Sequence, residues 1–482
     1  MNRSSLLCRL TPAAAALLLA GCASVAPRAT FQASADLART AAGAEARVAY
    51  TDDERRALAA EVAALLQSPL DIERAVRLAL IKHPGLQATY QEAGIAQADL
   101  VQATRLRNPS FGFSRMAGGG EREIERSVSF DLAGLLTMPL RQRMATRRHE
   151  ETTLRIAAAI ETHAHATRRA WIEAVAARQA LDYARQVAAA AEASGELTAR
   201  MRQAGNASAL DLAREQAFHA EAAAAVLRAG RAQDSARESL TRQLGLWGQQ
   251  TGFTLPAHLP ELPPAPAEPA NIERLALERR LDLRAARAAA AGTASDLGLT
   301  RTTRWVNVLD LGYASKSETN QTRSEGYQVA LELPLFDWGG ARVARAEAVY
   351  MGAVQRVAET AVDARSQARA GYLAYRASYD VARHYQEHVL PLRKRIADET
   401  LLRYNGMLVG PFELLADARE QAAAVHAAID ALREFWLADT DLRAALGGPF
   451  DLPEPDRDHQ HTHPQPQPQP QSQPHHMKEP TP

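Results

Sequence analysis

The sequence predicts a mainly α chain carrying membrane-type β-hairpins, built from one helix–hairpin–long-helix unit used twice. Three observations predict it. Long Ala/Arg/Glu-rich segments have helical habit, while aromatic residues make up only 5% of the 482 residues, the balance of packed helices rather than a β-sandwich. The hydrophobic period switches to two in two places about 200 residues apart, which puts apolar and polar rows on opposite faces of a strand. Around both places the same order of segments recurs, the mark of an internal duplication.

Taken from the N-terminus, Arg3 and Arg9 form a basic region ahead of the apolar run Thr11–Ala20, which is too short to cross a membrane as a helix. It leads into Leu19-Ala20-Gly21-Cys22, which resembles a bacterial lipobox. The resemblance implies cleavage before Cys22, lipid on its thiol and amino group, and, with Ala23 following, sorting to the outer membrane. Cys8 falls in the discarded signal (1–21), so the mature chain keeps one cysteine and neither a disulfide nor a cysteine metal site is open to it. No apolar run long enough for a transmembrane helix follows. The leader 22–69 shows little pattern.

The first unit (70–255) opens with DIERAVRLAL at 71–80, and the second (270–450) with NIERLALERR at 271–280. In each, Asp71 or Asn271 is placed to cap a helix with its side-chain oxygen. Leu86–Leu100 then aligns with Leu283–Leu297. The first hairpin spans 108–135. Phe111 and Phe113 lie on one strand, Val128, Phe130 and Leu132 alternate with Ser127, Ser129 and Asp131 on the other, and the reversal falls at Gly118-Gly119-Gly120. The second spans 305–335, with Tyr327, Val329, Leu331 and Leu333 alternating with Gln328, Ala330 and Glu332 behind a polar loop. Strands of about ten residues suit a tilted crossing of a bilayer. Four strands are too few to close a barrel, and open edges are not tolerated in lipid. Strands that span a membrane therefore require several chains to share one barrel.

Arg141 to Ala204 has no proline and a single glycine, Gly195, so about 60 residues of helix would reach roughly 90 Å. Its counterpart, Ala341 to Tyr404, carries Pro391, where a bend is expected. Both long helices run into glycine- and asparagine-bearing turns, at 200–212 and 403–415. There Gly205, Asn206, Asn405 and Gly406 permit a left-handed helix end, Ser208 can cap the returning helix and Pro411 suits its first turn. The returns end at Gly245 and at Gly447-Gly448. A Pro-rich linker (256–269) joins the halves, and a Pro/Gln/His-rich tail (451–482) closes the chain.

The lipobox, the paired hairpins and the paired tip turns resemble the TolC-type outer-membrane efflux proteins over about residues 70–448. That resemblance implies a homotrimer with a twelve-stranded β-barrel continued by a long α-helical barrel across the periplasm. It implies an exit duct of a tripartite efflux system, with an inner-membrane pump and a periplasmic adaptor as partners. The adaptor would dock at the tip turns, on Arg202, Gly205, Asn206, Ser208, Arg403, Asn405, Gly406 and Met407. Such channels often carry an acidic ring as a periplasmic gate. Glu413 is the best match here, with Asp417 nearby and Asp211 its first-half equivalent.

The 56 basic and 56 acidic residues balance, which argues against a nucleic-acid partner. No nucleotide-loop, nucleophile-elbow or zinc-protease motif stands in a strand-to-helix context, so neither an enzyme nor a cofactor beyond the lipid on Cys22 is expected. His163 and His165 point to different faces of one helix and are read as surface residues. His459, His461, His463, His475 and His476 in the tail, with Met477, suit copper, zinc or nickel and point towards heavy-metal cargo. A channel of the same build for type I protein secretion is the alternative reading. A periplasmic helical scaffold lipoprotein, whose hairpins never enter lipid, is the reading from another class.

Overall fold

The computed structural model describes residues 26–305 and 308–450. Helices α1 (Pro27–Ala42) and α2 (Asp52–Leu65) precede a first run of α3 (Ile72–Lys82), α4 (Pro84–Ala103), β1 (Ser110–Gly118), β2 (Glu121–Asp131), α5 (Leu132–Gln203) and α6 (Ala209–Leu244). The order then recurs as α7 (Ile272–Arg279), α8 (Leu281–Thr303), β3 (Leu309–Glu318), β4 (Ser324–Leu331), α9 (Gly340–His384), α10 (Leu390–Asn405) and α11 (Pro411–Leu446).

The leader is more structured than its composition indicated. Thr51 and Glu54 close a capping box on α2, and Phe31 of α1 packs on buried Tyr90 with ring centroids 4.8 Å apart. Asp71 caps α3 as expected, accepting from the Arg74 N–H at 2.8 Å. Asn271 does not: it takes a left-handed φ of 54° and its side chain makes no cap bond. The duplication is thus kept in the backbone path while the capping chemistry has diverged.

α5 starts earlier than the sequence pattern indicated. The Asp131 carboxylate accepts the Gly134 N–H at 2.6 Å, a cap that turns Leu132 from a strand residue into the first helical one. The helix runs 72 residues, through Pro139, or roughly 110 Å at 1.5 Å per residue. In the second half, the irregularity expected at Pro391 is a π-turn over Tyr385–Val389 between α9 and α10. Proline has no N–H to give the preceding turn and its ring crowds that turn's carbonyl. Widening the helix by one residue accommodates both.

Two glycine helix ends hold the two units together in the same way. Gly245 (φ 67°) closes α6, and a Cβ there would stand 2.7 Å from the His83 Cα. Gly447 (φ 72°) closes α11, and a Cβ there would stand 2.9 Å from the Arg280 backbone nitrogen. Each glycine is required twice over, for its left-handed φ and for close approach to the junction between its unit's two short helices. Around these junctions lie the apolar cores. Trp171, Leu240, Leu244 and Phe253 form one with α3, and Tyr375, Tyr379 and Phe435 form another with α7. The Pro-rich linker is fastened over the second core. Its carbonyls at Pro260 and Pro263 accept from Trp436 Nε1 and the Tyr379 hydroxyl.

The four strands form one antiparallel sheet in the order β1-β2-β3-β4. β4 stops at Leu331, short of Pro334, so Glu332 and Leu333 fall outside the strand. In the half of the sheet next to the helices, cross-strand register sorts the side chains into two faces. Phe111, Val128, Tyr313 and Tyr327 lie in one row, with Phe130, Leu311 and Val329 in the row two residues along. On the opposite face, Gly112, Ser127, Ala314 and Gly326 share a row beside Ser110, Ser129, Gly312 and Gln328. In these rows one face is apolar and aromatic and the other small and polar; towards the hairpin turns the first face also carries Arg126 and Glu325, and the second Glu125 and Lys316.

Candidate functional site: helical tips and open sheet edges

Both tips are built as the same helix-ending motif, in which two N–H groups return to carbonyls of the last turn. At the first tip the Asn206 N–H bonds the Met201 carbonyl at 2.8 Å and the Gly205 N–H bonds that of Arg202 at 3.0 Å. At the second, the Leu408 N–H bonds Arg403 at 2.8 Å and the Met407 N–H bonds Tyr404 at 2.9 Å. Superposing these bonds makes Met407 the counterpart of Gly205. Gly205 has φ 82° and Met407 φ 59°, whereas Gly406 has φ −80°. The expectation that Asn405 or Gly406 supplies the left-handed residue is therefore corrected: the motif's bonds fix that position one residue later, on a methionine. Met407 is 93% exposed and Leu408 77%, so the second tip presents an apolar point while the first presents Gly205 and Asn206.

The returning helices also start differently. Ser208 caps α6 in a capping box with Asp211, whose Oδ2 accepts the Ser208 hydroxyl at 2.6 Å and N–H at 3.1 Å. These bonds from Ser208, helped by nearby Arg214, hold the Asp211 carboxyl below its ordinary value. α11 starts at Gly410 with no side-chain cap. Of the three acidic residues singled out in the sequence, Asp211 is engaged in this cap and Asp417 accepts the Thr400 hydroxyl across α10 and α11. Glu413 is exposed in the first turn of α11. Arg202 and Arg403 lie in the last turns before the tips.

A tie between the two helical hairpins lies just above the tips. Glu215 on α6 is 2% exposed. It accepts the Ser194 hydroxyl of α5 at 2.6 Å and pairs with Arg419 of α11 at 2.5 Å. The Arg419 guanidinium also lies 4.2 Å from the Phe218 ring centroid. Sequence reading missed this cluster because Ser194, Glu215 and Arg419 each sit in an ordinary polar helix stretch. Only the packing of three helices brings them together.

Two histidines read as surface residues are not. His165 is 7% exposed. His163 Nε2 lies 3.0 Å from the Gln243 carbonyl and its ring packs on His83 at 4.3 Å. Burial first, then the neighbouring His83, pushes the His163 pKa down to about 4. The Ala-rich surroundings hid both, since alanine neither marks an interior nor excludes one.

At the other end, β1 and β4 are unpaired along their outer edges among the described residues, and exposed almost throughout. Phe111, Phe113, Phe130, Tyr327 and Val329 are each more than half exposed. No described helix is long and apolar enough to cross a membrane. Cys22 and the tail histidines His459, His461, His463, His475 and His476 lie outside the described residues.

Neither a protein-family model nor a curated protein sequence matches the chain. Among solved structures, it is similar to the Campylobacter jejuni CmeC outer membrane channel, at TM-score 0.68 and 15% identity over 84% of this chain and 89% of that one. It is similar to the open state of the Neisseria gonorrhoeae MtrE outer membrane channel, at TM-score 0.65 and 19% identity over 78% and 89%. The Vibrio cholerae outer membrane protein VceC matches at TM-score 0.65 and 16% identity over 79% and 97%. The chain therefore has the fold of the TolC-type outer-membrane channels, down to four antiparallel strands on a long helical body.

Proposed function

We propose that the chain is the outer-membrane exit duct of a tripartite efflux system, working as a homotrimer. One observation carries the reading: a sheet with two open edges and one apolar face is continuous, through Asp131, with a 72-residue helix. Three such sheets give twelve strands, enough to close a barrel and leave no edge in lipid. The aromatic face then meets lipid and the Gly/Ser/Gln face lines a water-filled lumen. The long helices extend that lumen into the periplasm, and acylated Cys22 anchors the leader to the membrane. The conduit is passive; an inner-membrane pump supplies the energy.

In this reading a periplasmic adaptor docks at the tips, on the exposed Gly205, Asn206, Met407 and flanking Arg202, Ser208, Arg403, Asn405 and Gly406. The closed state is held by the Ser194–Glu215–Arg419 tie, which joins hairpins that must separate for the tips to spread, while Asp417–Thr400 braces the two arms of the second hairpin. Three copies of Glu413 form a ring that concentrates cations at the entrance, with Asp417 and Asp211 behind it. The tail histidines favour heavy-metal cargo such as copper, held transiently before release.

Planar-bilayer recording tests the proposal. Purified protein is expected to give discrete conductance steps, and Glu413→Lys to lower the preference for cations. Absence of any steps removes the duct reading; steps with selectivity indifferent to Glu413→Lys remove only its gate role.

A further inference from the structure

We infer that Glu161 and His165 form a binding site for a divalent transition-metal ion, in a cavity between the two halves of the chain. The cavity has a volume of about 580 Å³ and lies between α5, the α7–α8 junction, α9 and α11. Its wall mixes alanine, glycine and leucine with polar and charged side chains. Into it the chain sends two polar groups spaced four apart on α5, and therefore on one helix face.

The histidine is unpartnered among the described residues. Both ring nitrogens of His165 are buried and without a hydrogen-bond partner. Glu161 is 8% exposed, and its Oε1 stands 3.7 Å from His165 Nε2, too far for a hydrogen bond. A buried polar group left unpaired is costly, so a species that bonds the imidazole and the nearby carboxylate together is favoured. The lining charges fix its sign. Arg169 pairs with Asp441, and Arg280 pairs with Asp282 while donating to Gln367. Arg168, the next cation along α5, donates to the Ala42 carbonyl. By formal charge the lining carries Glu161, Asp282 and Asp441 against Arg169 and Arg280, one acidic group in excess, and the cavity favours a cation.

The donors fix its class. An imidazole nitrogen is a poor ligand for sodium, magnesium or calcium and a good one for zinc, copper or nickel. A point about 2.1 Å from both donors, the usual zinc–ligand length, sees them across 3.7 Å at an angle of about 120°. That angle fits a four- or five-coordinate ion. Among the described residues no group of three or more His, Cys, Asp or Glu is placed to hold a metal, so this pair supplies two ligands and water the others. Binding is accordingly weak and exchangeable. The inference rests on these side chains alone and stands separately from the cargo proposed above.

Equilibrium dialysis of the full chain in detergent against Zn²⁺ tests it, with His165→Ala and Glu161→Gln beside the wild type. Ions held by the tail histidines appear equally in all three, so the difference isolates the cavity. The wild type is expected to bind one more ion per chain than His165→Ala. Glu161→Gln is expected to weaken that site by at least roughly tenfold, since even indirect ligand partners are worth that much. Zn²⁺ is also expected to raise the unfolding temperature of the wild type more than that of either variant. If His165→Ala does not fold, the near-isosteric Glu161→Gln decides alone. Equal stoichiometry, affinity and thermal shift in the folded proteins overturn the inference.

Discussion

At the scale of residues, the chain departs from its own pattern in two measurable ways. Burial, and then the neighbouring His83, push the His163 pKa down to about 4 from the 6.5 of a free imidazole. Its pKa is depressed, so the unfolded chain binds more protons between those values. The fold loses stability as pH falls from 6.5 towards 4, and unfolding followed over that range should show it; His163→Gln should flatten the curve. Met407 holds a left-handed φ of 59° in open solvent, a conformation costing an L-residue about 1–2 kcal/mol. Met407→Gly should firm the second tip by about 0.5 kcal/mol after the extra freedom of glycine in the unfolded chain. Gly205→Ala should loosen the first by about 1 kcal/mol. Hydrogen exchange at the two turns reads both, and shifts of the same sign would contradict the shared motif. The turns were legible because glycine, asparagine and proline punctuate a chain. Which residue takes the left-handed position was not, since a bonded motif can impose it on methionine.

At the scale of elements, the helices and hairpins were legible and their joints were not. Periodicity locates strands such as Val128–Phe130 and a helix as long as α5. It says nothing of Asp131 capping α5 early, or of the π-turn that absorbs Pro391. The tie of Glu215 to Ser194 and Arg419 was likewise invisible, being a contact between three elements. Its energetics are testable. Arg419→Met leaves a carboxylate with 3% side-chain exposure uncompensated, a loss of about 3 kcal/mol to the pairing of the two hairpins. Adding Glu215→Gln should recover most of it. In bilayer recordings the single variant should conduct more than the wild type and the double variant should lie between. A single variant as closed as the wild type would show that the tie does not hold the tips.

At the scale of the molecule, the alternation that marked the strands sorts into two faces only once register is known. Row by row, Phe130, Leu311 and Val329 share the aromatic face, and Ser129, Gly312 and Gln328 the small polar one. The strands' membrane role therefore rests on a property of four strands together. Val329→Arg places a charge on the lipid side and should cost about 2–4 kcal/mol if it lies near the bilayer midplane, seen as lost yield of assembled protein. Gln328→Arg, one residue away on the lumen side, should assemble normally and shift selectivity towards anions. Equal yields from the two would mean that the faces are assigned wrongly.

The need for partners follows from the same sheet. Four strands with both edges open and 72 residues of helix behind them do not close a membrane barrel in one copy. The most direct measurement is the mass and shape of the detergent-extracted protein, by native mass spectrometry and electron microscopy. An elongated particle of three chains with a barrel at one end is expected. A compact monomer that stays soluble without detergent would contradict it, and with it the shared barrel from which the duct is derived.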